Sequence, residues 1–289
     1  MIIFKKIVEF KNYLRKLKNK KKKIGFIPTM GALHDGHFSL ISRSISENDL
    51  SIISIFINPT QFNNQNDLSK ITRNTAAVIL ETIQGGAGFI QPINGYLTKV
   101  QKKCNEVGAL LILDEIQPGI GRTGKLFGFE NYNCIPDVVV TGKGLGGGMP
   151  IGAFTASKEM MNSLSVNPKL GHITTFGGHP VIAAAALATL KEITCSTLMK
   201  DALFKENLIR KELQHPIIKE IRGKGLMLAL IVESAEIANK IVLQSKENGL
   251  ILFWLLFEPK AIRISPPLTI TKKELLFGCD IITKVLNSI

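Results

Sequence analysis

What this 289-residue chain lacks narrows its reading first. No uninterrupted apolar run reaches the length of about 20 residues that a membrane-crossing helix needs. The N-terminus, MIIFKKIVEFKNYLRKLKNKKKK, has neither a sustained apolar stretch nor a small-residue cleavage site, so it does not read as a secretory signal. Its basic residues are mostly Lys, without the Arg and Ser of a transit peptide. The four cysteines, Cys104, Cys134, Cys195 and Cys279, form no CxxC pair. That pattern excludes a disulfide framework and the common zinc spacings, and points to reduced thiols in a cytoplasmic protein. Trp and Tyr are few, at one and three, and no aromatic is interleaved within the basic run RKLKNKKKK. No nucleic-acid or membrane partner is therefore expected.

Charge of one sign is in excess. The formal net charge is +13, and residues 1–73 hold 13 Lys and Arg against 5 Asp and Glu. The run RKLKNKKKK supplies most of it and reads as a solvated helix end and linker. An anionic small-molecule substrate fits the charge equally well.

The elements read as α/β. Residues Phe4 to Leu17 have helical spacing. KIGFIPTMGALHDGHFSLISRSISENDLSIISIFINPTQF reads as strand (Ile24–Ile27), helix (about Gly36–Glu47) and strand (Ser51–Ile57), one βαβ unit. From Asn74 the pattern begins again, with strands TAAVILE, ALLILDE and PDVVVTGK and a helix GYLTKVQKKCNEVG closed by Gly108. Helices follow at PVIAAAALATLKEI and Leu198–Gln214. The tail alternates strand GLMLALIV, helix Ala235–Asn248, strands LILFWLLF and AIRIS, and a last helix opening on the capping box Thr271…Glu274.

GIGRTG, from Gly119 to Gly124, satisfies the dinucleotide fingerprint in letters only. DEIQP separates it from its strand, the residues after it make a poor helix, and Asp137 alone sits near ribose-binding spacing. The pair Asp114 and Lys143 is more informative. Each closes an apolar strand, and ligands of open parallel sheets gather at the carboxyl ends of strands. Lysine condenses with an aldehyde cofactor, and pyridoxal phosphate (PLP) needs an acid for its ring nitrogen. The glycines after Lys143 allow close backbone approach. From spacing alone, a structural Asp–Lys pair is equally open.

LILDEIQPGIGRTGKLFGFE followed by PDVVVTGKGLGGGMPIGAF resembles the core signature of class III PLP-dependent aminotransferases of the acetylornithine/ornithine group. The likeness continues through HITTFGGHPVIAAAALATL, IRGKGLMLALIV and IRISPPLTIT, from about Asn74 to the C-terminus. It implies a partial type I PLP-transferase large domain (73–215) and a small C-terminal α/β domain (216–289). It also implies a homodimer and an amino acid donor such as ornithine or its N-acyl form, with 2-oxoglutarate as acceptor. Lys143 would be the catalytic Schiff-base lysine and Asp114 the partner of the pyridine nitrogen. Gln117 would sit by the ring hydroxyl, Thr174 and Thr175 would reach the phosphate of the neighbouring subunit's cofactor, and Arg263 would grip a substrate carboxylate. Where the family usually reads EPIQGE this chain has ETIQGG, with Thr82 for the proline and Gly86 for the gating glutamate.

The front differs. IPTMGALHDGHFSLI and SIFINPTQF resemble the N-terminal segment of pantothenate synthetase, an ATP-dependent ligase of the nucleotidyltransferase type joining pantoate and β-alanine. The resemblance covers about residues 1–70 and implies a Rossmann-like βαβ fragment (1–72). Met30, His34 and His37 would bind ATP, with His37 catalytic and Gln61 on pantoate. Neither resemblance is complete. No later lysine- and serine-bearing ATP loop follows the ligase-like part. The Ser-Gly-Thr segment that holds the PLP phosphate in class III enzymes has no counterpart in residues 1–73. The chain thus reads as an incomplete aminotransferase behind a ligase-like segment, with pantothenate ligation or an inactive truncated fusion as alternatives.

Overall fold

The computed structural model describes residues 7–18, 22–29, 35–55, 65–165 and 173–289. The chain divides into two compact units, Met1–Thr60 and Gln61–Ile289.

The first unit holds α1 (Ile7–Lys18), β1 (Ile24–Thr29), α2 (Asp35–Glu47) and β2 (Leu50–Ile55). The two strands pair in parallel, from Ile24 opposite Leu50 to Thr29 opposite Ile55, as the strand–helix–strand spacing predicts. Gly25 lets α2 lie close on β1, since a Cβ there would fall 2.1 Å from Ser44 Oγ. The helix returns through a polar hinge. Asn48 Nδ2 donates to the Ser44 carbonyl at 2.9 Å, and Asp49 accepts from Lys23 N and Lys22 Nζ, each at 2.9 Å.

In the second unit β3 (Ala77–Glu81), α3 (Tyr96–Val107), β4 (Leu110–Asp114), β5 (Val138–Gly142) and β6 (Gly152–Ala156) come first. They make a four-stranded sheet in the order β3-β4-β5-β6. The first three strands run parallel, and β6 returns antiparallel along β5. α3 packs its apolar stripe, Tyr96, Leu97, Val100 and Cys104, on Val78, Leu80, Leu111 and Leu113. Gly108 at φ 76 ends the helix, as its position in the sequence suggests.

Helices α4 (Lys158–Asn162), α5 (Pro180–Cys195) and α6 (Leu198–Glu212) lead to a second sheet. It contains β7 (Glu220–Lys224), β8 (Met227–Ile231), β9 (Phe253–Trp254) and β10 (Ala261–Ile264), with α7 (Ala235–Glu247) and α8 (Lys272–Asn287). The order is β7-β8-β10-β9 and every pairing is antiparallel. One face of this sheet and helices α6, α7 and α8 enclose the largest apolar cluster, which includes Leu228, Leu230, Ile241, Ile262 and Ile282. Both halves of the α8 capping box form, Thr271 N to Glu274 Oε2 at 2.8 Å and Glu274 N to Thr271 Oγ1 at 3.2 Å.

Three elements differ from the sequence reading. LILFWLLF, expected as an eight-residue strand, yields only Phe253–Trp254, because β10 offers just two paired positions to it and then reaches a proline pair. β6 and β7 were not expected. GAFTA stands exposed or half-buried along its whole length and carries no apolar alternation, and EIRGK is mostly polar.

Candidate active site

The parallel sheet brings the carboxyl ends of three strands together. Glu81, the last residue of β3, stands opposite Asp114, the last of β4, and Asp114 stands opposite Val140 of β5. Two residues beyond β5's Thr141, the chain turns at Lys143 into a single 3-10 turn, Lys143–Gly146. Asp114 and Lys143 therefore emerge at one edge of the sheet from adjacent strands. Asp114 is half-buried, and Ile116 N donates to its Oδ1 at 2.9 Å. Burial pushes its carboxyl above the usual range, while the Ile116 bond and the charge of Lys143 pull it back.

Lys143 is exposed and has φ 41, in the left-handed region that costs an L-residue roughly 1–2 kcal/mol. Strain of this kind at a strand mouth marks positions where the side chain matters more than the backbone. Gln117 lies on the turn after β4, and a Cβ on Gly85, in the turn after β3, would come 2.3 Å from its Nε2. Gly85 N in turn donates to Glu81 Oε2 at 2.6 Å.

The two substitutions in ETIQGG each have a structural partner. Thr82 is buried and its hydroxyl donates to the Glu115 carboxylate. Glu115 is fully buried and also accepts from Gly128 N at 2.6 Å and Phe129 N at 3.0 Å. Its pKa is pushed up to about 6 by burial, against the pull of those three donors. At Gly86 a Cβ would meet the Phe257 ring at 2.8 Å, and Phe257 N donates to the Gly86 carbonyl at 2.9 Å. An aromatic ring thus covers the place where a longer side chain would stand.

Arg263 lies on β10 between Phe253 and Ala229 of the flanking strands. Its Cζ sits 5.8 Å from the centroid of the Phe89 ring, and its Nε is buried with no hydrogen-bond partner. A buried guanidinium donor without an acceptor suits an incoming anion. Thr174 and Thr175 are exposed in the turn before α5, where Gly177 N donates to the Thr174 carbonyl at 3.2 Å.

GIGRTG forms no dinucleotide site. The segment after it is a 3-10 turn, Gly128–Tyr132, and the Asp137 carboxylate is occupied by Leu111 N at 2.7 Å. Its arginine has another use. Arg122 Nη1 donates to the carbonyls of Pro266 at 2.5 Å and Leu226 at 3.3 Å, which no reading of the motif suggested. His37, in the first unit, is half-buried in the first turn of α2; Met30, His34 and Gln61 lie outside the described residues. Among the described residues no cluster of His, Cys, Asp and Glu could hold a metal ion.

The sequence profile of the family described as aminotransferase class-III matches residues 19–286. The chain belongs to the class III aminotransferases. An ornithine aminotransferase from Toxoplasma gondii is 32% identical, with a TM-score of 0.73, over 83% of this chain and 56% of that one. An acetylornithine aminotransferase from Elizabethkingia anophelis is 34% identical, TM-score 0.71, over 84% of this chain and 61% of that one. For an N-acetylornithine aminotransferase from Stenotrophomonas maltophilia K279a the values are 28% and 0.70, over 96% and 70%. The chain thus spans little more than half the length of the ornithine aminotransferase it matches.

PLP is the cofactor expected of this class, and the edge formed by β4 and β5 fits its ring end. The half-buried Asp114 carboxyl at the end of β4 stands one strand from the exposed Lys143 that follows β5. The class III profile runs from residue 19 through most of the segment read as ligase-like. The structure gives that segment a parallel βαβ arrangement, and the class III match there carries no support for a nucleotidyltransferase fragment, ATP or pantoate.

Proposed function

We propose that this chain is a PLP-dependent amino-transfer module that takes an amino group from a donor of the ornithine type and passes it to 2-oxoglutarate. The observation that carries this reading is the placement of Asp114 and Lys143 at the ends of adjacent strands. When bound, PLP supplies an aldehyde that takes up amino groups and a protonated ring that withdraws electrons. Asp114 would keep a proton on the ring nitrogen. Lys143 Nζ would hold the cofactor and move the proton at the donor's reacting carbon. Gln117 would orient the ring hydroxyl, Arg263 would receive a substrate carboxylate, and Thr174 and Thr175 would contact the phosphate across a homodimer. With Gly86 and Phe257 where a gating glutamate is usual, the donor is the least constrained part of the reading.

The test is titration with PLP, then borohydride reduction and peptide mapping, then assays with ornithine, N-acetylornithine and 2-oxoglutarate. We expect weak binding, slow turnover and a pyridoxyl group on Lys143. The phosphate is normally held by several charge-assisted bonds of roughly 1.5–3 kcal/mol each, so losing two or three costs several powers of ten in affinity. A label on another lysine, with Lys143 unmodified, would overturn the assignment.

A second reading keeps residues 1–72 as a remnant of a pantoate-activating ligase. The observation favouring it is the parallel βαβ unit with His37 at the start of its helix. Purified protein is expected to form no pantothenate from pantoate, β-alanine and ATP. Turnover that Arg263→Met spares and His37→Ala abolishes would make the ligase the real activity.

A further inference from the structure

The segment after β10 is held in an unusual way. Ile264 ends the strand and Ser265-Pro266-Pro267-Leu268 follows. Two successive prolines have no N–H, so the segment cannot continue the ladder. The prolines can be tied only through their carbonyls, and three carbonyls in a row, from Pro266 to Leu268, are taken. Pro266 O accepts from Arg122 Nη1 at 2.5 Å, Pro267 O from Ile270 N at 3.1 Å, and Leu268 O from Lys205 Nζ at 2.6 Å.

Two of these donors are cations held away from water. Lys205 is only 8% exposed, and Arg122 is half-buried, its pKa lowered by burial alone. Among the described residues no carboxylate pairs with either. Charge-assisted bonds of this kind are shorter and roughly twice as strong as neutral ones.

Arg122 is itself fixed in place. Leu226 N donates to its carbonyl at 2.9 Å, and a Cβ on Gly225, at φ +60, would lie 2.3 Å from that oxygen. The same loop begins at Asp114 and Gln117, eight and five residues earlier, and its Gly119 N is tied back to the Glu115 carbonyl at 3.0 Å. One guanidinium therefore joins the loop bearing the proposed cofactor residues to Pro266, three residues after Arg263.

We infer that Arg122 is a positioning residue that sets Arg263 relative to Asp114, so that a substrate carboxylate and the cofactor ring are held in one register. Lys205 steadies the same segment from its far end. This rests on the reading of Arg263 as a carboxylate site. The charge matters because Pro266 offers one acceptor and no donor, so a neutral side chain gives a weaker tie at the same place.

The experiment uses the full chain and 2-oxoglutarate as the probe. Binding is followed by the fluorescence of the single tryptophan, Trp254, which pairs with Ile262 beside Arg263. Hydrogen exchange is followed in peptides covering residues 262–270 and 109–114. Arg122→Met is expected to raise the Kd about tenfold, the scale of one charge-assisted bond, and to speed exchange in 262–270 alone. Arg122→Lys, which keeps the charge and a donor, is expected to recover most of both. If Arg122→Met does not fold, Lys205→Met replaces it with the same expectation. An unchanged Kd, or equal losses in Arg122→Met and Arg122→Lys, would overturn the inference. Failure of the unsubstituted protein to bind, or binding untouched by Arg263→Met, would instead overturn the reading of Arg263 and the inference with it.

Discussion

Replacing Lys143 with glycine is expected to leave a protein at least as stable as the original and to remove the proposed amino-transfer activity. The two effects point in opposite directions, which makes the result diagnostic. At φ 41 the lysine backbone is strained, and glycine adopts that conformation freely. Relief of the strain contributes on the order of 1 kcal/mol, less the entropy that glycine adds to the unfolded chain. The amine, by contrast, has no substitute within the turn Lys143–Gly146. A missing proton-transfer group lowers turnover by about 10²–10⁴-fold. The covalent pyridoxyl label should vanish as well. Removing the ammonium also takes away a charge that draws the Asp114 carboxyl down, so its pKa should rise further. Thermal unfolding and borohydride labelling of Lys143→Gly and Lys143→Ala check the prediction together. Alanine loses the chemistry and keeps the strain. Loss of stability in the glycine variant would mean that the Lys143 side chain holds the turn, and a retained label would place the chemistry on another lysine.

Glu115→Ala is expected to cost about 3–5 kcal/mol, because it strands the Thr82 hydroxyl and the Gly128 and Phe129 N–H groups in a dry site and leaves a cavity. Glu115→Gln separates the charge from the packing. The folded pKa of about 6 lies above the ordinary 4.5. Folding therefore favours the protonated form, and the stabilisation is complete below about pH 4.5 and lost as pH rises through 6. A shift of this size is worth on the order of 2 kcal/mol. The unsubstituted protein should lose that much stability between pH 4.5 and 7, through this group, while Glu115→Gln shows a shallower slope. Asp114 is shifted in the same direction and keeps its contribution in both proteins. Urea midpoints across that range provide the measurement. Parallel slopes for the two proteins would show that Glu115 stays ionised in the fold.

The pairing of Thr82 with Glu115 explains why the first departure in ETIQGG is tolerated. A proline at that place has no hydroxyl to offer, whereas Thr82 gives the buried carboxylate a third donor. The second departure removes a carboxylate from the turn and leaves room for the Phe257 ring. Both exchanges sit where β3 ends, one residue and five residues after Glu81.

Much of the site was legible because its residues are local to elements whose signals are strong. Asp114 and Lys143 each close a short run of apolar residues, and a parallel sheet brings such ends to one edge whatever the loops between them. Gly108, Pro180 and the Thr271 capping box marked helix ends correctly, since caps are satisfied within a few residues of chain. Arg263, read from resemblance alone, is now set over Phe89 with a donor left open. No spacing in the sequence joins those two residues.

By itself, then, the sequence determined an α/β chain, a parallel βαβ pair at the front, and the strand-end acid and lysine, all consequences of hydrophobic period and of caps that act at short range. Tertiary structure alone decided how Glu115 is buried among three donors and why Phe257 lies on Gly86. It also decided that LILFWLLF pairs for only two residues, and that Arg122 and Lys205 hold the carbonyls after β10. Thr82 and Glu115, Lys205 and Leu268, Arg122 and Pro266, and Gly86 and Phe257 stand 33 to 171 residues apart along the chain. Burial and hydrogen-bond satisfaction are properties of the assembled fold, so a pattern read a few residues at a time carries no trace of them.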